Sequence, residues 1–408
     1  MDTPFQDKHI IHGVTGSIAA YKAADLASKL AQAGAQVEVI LTQAALQFVT
    51  PLTFQSVTGR RAYVEADLWG SEGHVQHIGL AHQADLLIIA PASANTLAKL
   101  AYGLADNLLS LTALAAQCPL MLAPAMDGGM YAHPATQANL ETLRQRGAIL
   151  VGPAEGHLAS GLVGPGRMVE PLELLGHVRW VLGKGGPLSG RKVIVTAGGT
   201  QEPLDPVRVI ANRSSGKQGY AIAQAALDLG AQVTLISGPV SLAVPVGVQP
   251  VEVQTAQQMH DAVLGCLPQA DALVMAAAVA DFRPMSPAEN KLKKESGVPE
   301  IRLEHTPDIL KAVAQAKARL GRPSVTVGFA AESQDLIDNA TAKLHDKKLD
   351  LIVANDIRAT DAGFSADTNR VTLLFADGGV EPLDLMSKEQ VAASVMARVS
   401  ELIQKVSV

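Results

Sequence analysis

The chain begins twice. Near the N-terminus, His9-Ile10-Ile11-His12 runs into Gly13-Val14-Thr15-Gly16-Ser17 and then into the helix-forming stretch Ile18-Ala19-Ala20-Tyr21-Lys22-Ala23-Ala24. Near the middle, Lys192-Val193-Ile194-Val195-Thr196 does the same, entering Gly198-Gly199-Thr200. A short β-branched, apolar run that meets glycines reads as a buried parallel strand entering a tight turn. The parallel continues, because the first helix is expected to end at Gly34 before "AQVEVILT" and its counterpart at Gly230 before "AQVTLIS", each glycine serving as a C-terminal cap. A further buried strand follows in each half, within "ADLLIIAPASAN" (84–95) and "ADALVMAAAVAD" (270–281).

These repeats constrain the fold to α/β, with two doubly wound, mostly parallel-sheet, Rossmann-like domains. The 408 residues suit two or three domains of about 150 residues each. A Gly/Pro/Ser stretch without apolar periodicity, "GKGGPLSG", marks a linker over residues 183–190. The expected domains are therefore 1–182 and 191–408.

Composition narrows the function class. A net charge of −6 argues against nonspecific attraction to nucleic acid or anionic membrane. No apolar run approaches the roughly 18 residues of a membrane span, and "MDTPFQDK" lacks the basic and apolar regions of a signal peptide. A cytoplasmic protein with neither nucleic-acid nor membrane partners is expected. The two cysteines, Cys118 and Cys266, have no metal-ligand spacing and read as buried, reduced structural thiols.

The turn Gly13 to Ser17 lacks the third glycine of a dinucleotide fingerprint and the Lys-Ser/Thr ending of a P-loop. Its glycines would let the backbone approach a phosphate, the hydroxyls of Thr15 and Ser17 could donate, and the following helix offers free N–H groups to an anion. The residues alone leave a purely structural turn open. Two further strand ends, "PASANTLAKLAYGLADNLLS" and "APAMDGGMY", would converge on the same crevice, where open α/β sheets bind ligands.

Here the motifs point to a family. "GVTGSIAAYK", "HIGLAHQADLLIIAPASANTLAKLAYGLADNLLS", "PAMDGGMY" and "GPGRM" resemble the flavin-dependent cysteine decarboxylases that act on phosphopantothenoylcysteine. "TAGGTQEPLDPVRVIANRSSGKQGYAIA", "AAAVADF", "KLKK" and "LDLIVAND" resemble the phosphopantothenate–cysteine ligases. In this order the chain is similar, over nearly its whole length, to the bacterial bifunctional coenzyme A biosynthesis proteins.

For the first half the resemblance implies an FMN site with contacts at Gly16, Ser17, Thr42, Ser93 and Asn95. A flavin suits decarboxylation, since oxidising the thiol-bearing carbon creates an electron sink for loss of the adjacent carboxylate. The active-site histidine maps onto His77 through the register of "HIGL". On the residues alone, a lone histidine in this Ala/Leu-rich context is more often a structural or surface residue than a catalytic one, and His74 and His82 compete with His77. Two positions depart from the family pattern: Asp127 stands where an asparagine amide usually holds the substrate carboxylate, and Ser160 where many relatives carry a proton-donating cysteine. An ionised aspartate offers only acceptors, so Asp127 would repel a carboxylate unless protonated or turned toward an amide N–H. A hydroxyl is a far weaker acid than a thiol of pKa about 8.5, so the proton is expected from Ser160 acting through water, or from another group.

For the second half the resemblance implies that 4′-phosphopantothenate and L-cysteine are joined with CTP through an acyl-cytidylate. Mg²⁺ is expected to accompany CTP, on ligands the sequence does not identify. Lys291, in the basic run Lys291 to Lys294, is implied in acyl-cytidylate formation, and Asn212 in the attack by cysteine. Ala276, Asp281, Pro307, Asp308, Ile309, Phe329, Lys343 and Lys347 are implied at the nucleotide site. Without the resemblance, the basic run reads as a solvated loop and Lys343 with Lys347 as a charged helix face. The turn "ANRSSGKQG" places hydroxyls, Gly216 and Lys217 before a helix expected to begin near Tyr220, a phosphate-binding arrangement. The resemblance also implies a homo-dodecamer built from decarboxylase trimers and ligase dimers.

Two other readings stay open. One is an active ligase whose decarboxylase-like half is a silent scaffold, which Asp127 and Ser160 permit. The other is an NAD(P)-dependent oxidoreductase, which predicts an acidic residue after the second strand; "VEVILTQAA" has none there.

Overall fold

The computed structural model describes residues 3–69, 76–293, 300–332, 335–356 and 367–406. The chain divides into two compact units, Asp2–Leu182 and Gly183–Val408.

In the first unit the strands are β1 (His9–Val14), β2 (Gln36–Leu41), β3 (Ala62–Tyr63), β4 (Leu86–Ala92), β5 (Leu120–Pro124) and β6 (Ile149–Leu150). They form one sheet in the order β3-β2-β1-β4-β5-β6, with every pairing parallel. A hairpin of β7 (Ala154–His157) and β8 (Val163–Arg167) follows. The helices are α1 (Ala20–Gln32), α2 (Pro51–Thr58), α3 (Gln76–Gln83), α4 (Ala94–Tyr102), α5 (Leu108–Ala115), α6 (Gly128–Ala132), α7 (Pro134–Gln145) and α8 (Pro171–Gly183).

Alternation along the strands explains the layering. Ile10 and Ile88 join a core with Leu26, Phe54 and Leu174, whereas their neighbours Ile11 and Ile89 join a second core with Leu97, Leu109 and Leu143. Successive strand side chains point to opposite faces, so the continuously apolar strands need helices on both sides. α1 buries Ala20, Ala23, Leu26, Ala27 and Leu30, a single stripe at helical spacing. It starts at Ala20, two residues later than the helix-forming sequence, because Ile18 belongs to the turn and is exposed. Gly34 follows its last turn at φ +104°, a left-handed conformation that favours glycine and stops the helix.

The second unit contains β9 (Lys192–Ala197), β10 (Gln201–Pro203), β11 (Val209–Ala211), β12 (Gln232–Ser237), β13 (Gln249–Glu252), β14 (Ala272–Met275), β15 (Phe282–Pro284), β16 (Leu303–His305), β17 (Val325–Glu332), β18 (Leu351–Asp356), β19 (Thr368–Asn369), β20 (Val371–Phe375), β21 (Val380–Pro382) and β22 (Met386–Ser387). Its main sheet has the order β13-β12-β9-β14-β17-β18-β20-β21. It is parallel as far as β18, and then β20 and β21 add an antiparallel edge. The helices are α9 (Lys217–Asp228), α10 (Ala256–Cys266), α11 (Ile309–Leu320), α12 (Leu336–Asp346) and α13 (Lys388–Val406). α9 begins at Lys217 rather than Tyr220, since Gly216 at φ +75° already serves as its N-cap.

The stretch 183–190 folds back on the second unit. Leu188 N–H donates to the Leu229 carbonyl at 2.7 Å, and a Cβ on Gly186 would come within 2.4 Å of that oxygen. Cys118 and Cys266 are free but only half-buried, short of the burial expected. Among the described residues no helix is long and apolar enough to cross a membrane.

One buried polar group sits in the first sheet. His12 is fully buried, its Nε2 donating to the Ala90 carbonyl at 2.8 Å. Burial pushes its pKa down from 6.5 to about 4, against the opposing effect of that hydrogen bond. Above pH 6.5 the ring is neutral whether folded or unfolded; as pH falls, the unfolded chain takes up a proton that the folded one refuses. About 3 kcal/mol of stability is therefore expected to vanish between pH 6.5 and 4. His12→Gln should flatten this part of the urea-unfolding profile. Tryptophan fluorescence reports it, because both tryptophans, Trp69 and Trp180, lie in the first unit; an unchanged slope would rule out His12 as the titrating group.

Candidate active sites

In the first unit, the carboxyl ends of β1, β4 and β5 meet at a cavity of about 590 Å³. Gly16 and Ser17 after β1, Ser93 after β4 and Asp127 after β5 all line it. Thr15 fastens two of these ends together. Its hydroxyl donates to the Pro91 carbonyl at 2.7 Å and accepts from Ser93 N–H at 2.9 Å. Thr15 is 1% exposed, so this hydroxyl is structural and is not the phosphate donor that the sequence allowed. Ser93 caps α4, accepting from Thr96 N–H, while no side chain caps α1. Small residues and the α1 amide groups therefore border the cavity, an arrangement that accepts an anion.

The β7–β8 hairpin closes another side. Gly166 packs so tightly on the turn after β5 that a Cβ would lie 2.3 Å from the Met126 carbonyl, and Met126 N–H donates to Gly166 O at 3.0 Å. Lys22, 8% exposed, braces the chain beyond β8 by donating to the Met168 carbonyl at 3.3 Å and pairing with Glu170 at 2.6 Å.

The two positions that depart from the family pattern touch each other. Ser160 Oγ donates to Asp127 Oδ2 at 2.6 Å, and Asp127 Oδ1 caps α6 by accepting from Gly129 N–H at 2.9 Å. The Ser160 hydroxyl, followed by the Gly129 N–H, holds the Asp127 carboxyl below the usual carboxylate range. Asp127 thus meets two donors, and the serine proton is committed to it.

Other residues from the sequence reading lie elsewhere. Thr42 turns inward, its hydroxyl donating to the Val14 carbonyl at 3.4 Å, and the adjoining Ala44 packs beneath Gly16. Asn95 is exposed in the first turn of α4; neither residue lines the cavity. His77 is half-buried on α3, away from the cavity lining, with Nδ1 buried and without a hydrogen-bond partner. His82 is exposed, and His74 lies outside the described residues. The cavity also includes Lys22, His157 and Arg167, which sequence reasoning missed. Lys22 had one legible signal, a lone charge among alanines on the buried side of α1.

In the second unit the comparable hub is the segment after β14. Ala278 exchanges hydrogen bonds with the β9 turn, its N–H donating to Gly198 O at 2.8 Å. Asn212 Nδ2 donates to Val279 O at 2.9 Å, and the Asp281 carbonyl accepts from Thr306 N–H at 3.0 Å. Ala276 and Phe329 share a cavity of about 130 Å³ with Gly216 and Lys217 at the start of α9. Lys343 Nζ donates to the Phe329 carbonyl at 3.3 Å. Lys347 pairs with Asp308 at 2.7 Å; burial alone would raise the Asp308 pKa, but the Lys347 hydrogen bond, the Lys311 N–H and the charges of both lysines together hold it below the usual carboxylate range. Pro307 is half-buried, and Ile309 belongs to the core with Met259 and Val313.

Lys291 is exposed and lies outside this cavity lining. Its neighbour Leu292 is pinned, donating its N–H to Asp205 Oδ2 at 3.1 Å and accepting from Arg208 at 2.9 Å. Lys294 of the same basic run falls outside the described residues. Among the described residues, no cluster of three or more His, Cys, Asp or Glu side chains could hold a metal ion.

Comparison with known proteins gives this geometry a family. Residues 2–181 match the Flavoprotein family model, and residues 188–403 match that of the DNA/pantothenate metabolism flavoprotein C-terminal domain. The Coenzyme A biosynthesis bifunctional protein CoaBC of Bacillus subtilis is 45% identical over 399 residues, covering 97% of each chain. That of Mycobacterium tuberculosis is 45% identical over 401 residues, covering 95% of each. Among solved structures, the C-terminal domain of a Coenzyme A biosynthesis bifunctional protein is 38% identical and covers 54% of this chain and 99% of its own, with a TM-score of 0.46. Matched along both units by relatives of equal length, the chain belongs to the family of bifunctional coenzyme A biosynthesis proteins.

Proposed function

We propose that the second unit joins 4′-phosphopantothenate to L-cysteine with CTP and Mg²⁺, and that the first unit decarboxylates the product to 4′-phosphopantetheine with FMN, in the cytoplasm. The observation that carries the two-site reading is the convergence, in each unit, of the carboxyl ends of central parallel strands on a cavity bordered by a helix N-terminus. Such crevices are where doubly wound sheets take phosphorylated ligands.

The residues present fit a flavin mononucleotide in the first unit. Gly16, Ser17, Ser93 and the uncapped start of α1 are suited to its phosphate, and the cavity has room beyond them. Bound there, the flavin supplies a two-electron sink that lets carbon dioxide leave and returns the electrons afterwards. Thr42 and Asn95 flank this site, with Thr42 buttressing the Gly16 turn from below. His77 keeps a buried nitrogen available for proton transfer, and its absence from the cavity lining fits a site completed by a second copy of the chain, in line with the trimers of a dodecamer. Asp127 and Ser160 act as a positioning pair, drawing the hairpin over the substrate while the serine hydroxyl tempers the negative charge of the aspartate. Because that hydroxyl is committed to an ionised carboxylate, Ser160 is an unsuitable acid.

In the second unit, attack by the substrate carboxylate on the CTP α-phosphate releases pyrophosphate, and the cysteine amine then displaces CMP. Cations and amides must meet the charge that develops. Lys291 serves the first step from its exposed stretch, and Asn212, held by the Val279 carbonyl, serves the second. Phe329, Lys343 and Lys347 with Asp308 shape the nucleotide side next to Ala276, Asp281, Pro307 and Ile309, the last through its backbone because its side chain is in the core.

Mass spectrometry of the purified holoprotein and of its products from phosphopantothenate, cysteine, CTP and Mg²⁺ tests both halves. A flavin-free chain that ligates but releases no carbon dioxide would favour the silent-scaffold alternative.

For the first unit, His77→Asn should abolish carbon dioxide release while flavin absorbance and ligation persist. Ser160→Ala and Asp127→Ala should each raise the decarboxylation KM, with the double variant no worse than the more impaired single, and stopped-flow flavin reoxidation should change by less than about threefold, below the 10² to 10⁴ of a lost general acid. A larger slowing in Ser160→Ala would make the serine the proton donor after all. For the second unit, Lys291→Gln should stop pyrophosphate release, whereas Asn212→Asp should let the acyl-cytidylate accumulate; quench-flow analysis showing one common block would overturn the division of roles.

A further inference from the structure

The cavity at the start of α9 contains a cation that nothing in the local sequence signals. Lys388, the first residue of α13, is 5% exposed and lines this cavity together with Lys217, the first residue of α9. The two helices are joined at this point, Gln218 Nε2 donating to the Lys388 carbonyl at 3.2 Å. Lys217 in turn pairs with Asp367 at 2.5 Å, a carboxylate that is 83% exposed.

Independent observations point to a ligand here. Asn355, 9% exposed at the end of β18, also lines the cavity, and its Oδ1 is buried without a hydrogen-bond partner. A side-chain amide can present either its oxygen or its NH₂ group by turning over, so an anion in the cavity would give Asn355 the partner it lacks. The α9 amides capped only by Gly216 face the same space, and a helix of 12 residues carries a useful positive end.

Electrostatics fit this picture. Burial, and then the charge of Lys217, lower the Lys388 pKa, while Asp367 and Glu389 oppose the shift. Two ammonium groups lining one partly dry pocket repel one another, and an anion in that pocket relieves the repulsion.

We propose that Lys388 and Lys217 form a cation pair for the terminal phosphates of the nucleotide, and that Asp367 holds the anionic place until a phosphate replaces it. The inference rests on the reading of this unit as a nucleotide-using ligase and assigns a residue beyond it. An exposed carboxylate pairs weakly in water, whereas a polyphosphate brings several charges and strong acceptor oxygens to the same amides and cations. Replacement of Asp367 by phosphate is therefore downhill, and Lys388, reaching in from the last helix, recognises the end of the nucleotide that leaves as pyrophosphate.

Calorimetric titration of the full chain with CTP, CMP and inorganic pyrophosphate tests the pair. Lys388→Met, similar in length but uncharged, should raise the Kd for CTP and pyrophosphate by about 10- to 100-fold, the effect of losing a hydrogen bond to a charged group. CMP, which lacks the terminal phosphates, should bind within about twofold of the unmodified chain. Asp367→Asn, at a site exposed enough to spare the fold, should tighten pyrophosphate binding about threefold or more, and it decides the matter if Lys388→Met does not fold. An unchanged pyrophosphate Kd in Lys388→Met, an equal loss for CMP, or no tightening in Asp367→Asn would overturn the proposal. Failure of the unmodified chain to bind CTP at all would instead overturn the ligase reading beneath it.

Discussion

Both sites depend on the parallel pairing of each unit's first strand with the strand that follows a crossover to its other side. In the first unit β1 lies between β2 and β4, and in the second β9 lies between β12 and β14. The strand order reverses direction at that pairing, so the connections leaving its two strands diverge and open a crevice at their carboxyl ends. Gly16 and Ser93 face one such crevice, Gly216 and Ala276 the other. The Ile10–Leu86 and Val193–Ala272 registers are therefore the common origin of both sites.

What differs between the units is how the crevice is finished. The first is closed by a hairpin that meets the turn after β5 through Gly166 and through the Asp127–Ser160 hydrogen bond. In the second, the sheet extends past β18 by two antiparallel strands, after which α13 returns to α9 and delivers Lys388. One cavity thus gains a small polar clasp and the other a buried cation. The clasp keeps an ionised carboxylate at the first cavity, and Lys388 brings positive charge to the second.

The sequence alone determined the α/β class, the doubling, the helix-stopping glycines and the strand ends that carry ligand-binding turns, because each is fixed by local chemistry. A β-branched run before glycines admits few structures, and Gly34 at φ +104° is where few other residues could stand. The motif resemblance added residue roles, but along the chain Asp127 and Ser160 are two separate departures, 33 positions apart. Local chemistry also misjudged details. Thr15 looked like a phosphate donor and is a structural tie between β1 and β4, and Cys118 and Cys266 are less buried than their apolar surroundings suggested.

Only the tertiary structure decided which distant groups share one space. Ser160 reaches Asp127 because the β7–β8 hairpin folds onto the β5 turn, and Lys388 joins Lys217 because α13 packs along α9. Such encounters have no periodicity or spacing to read. They follow from the burial of whole helix and sheet faces, which brings together residues that never neighbour one another along the chain. Sequence fixes what each segment can become; packing fixes which charges and hydroxyls must then come to terms.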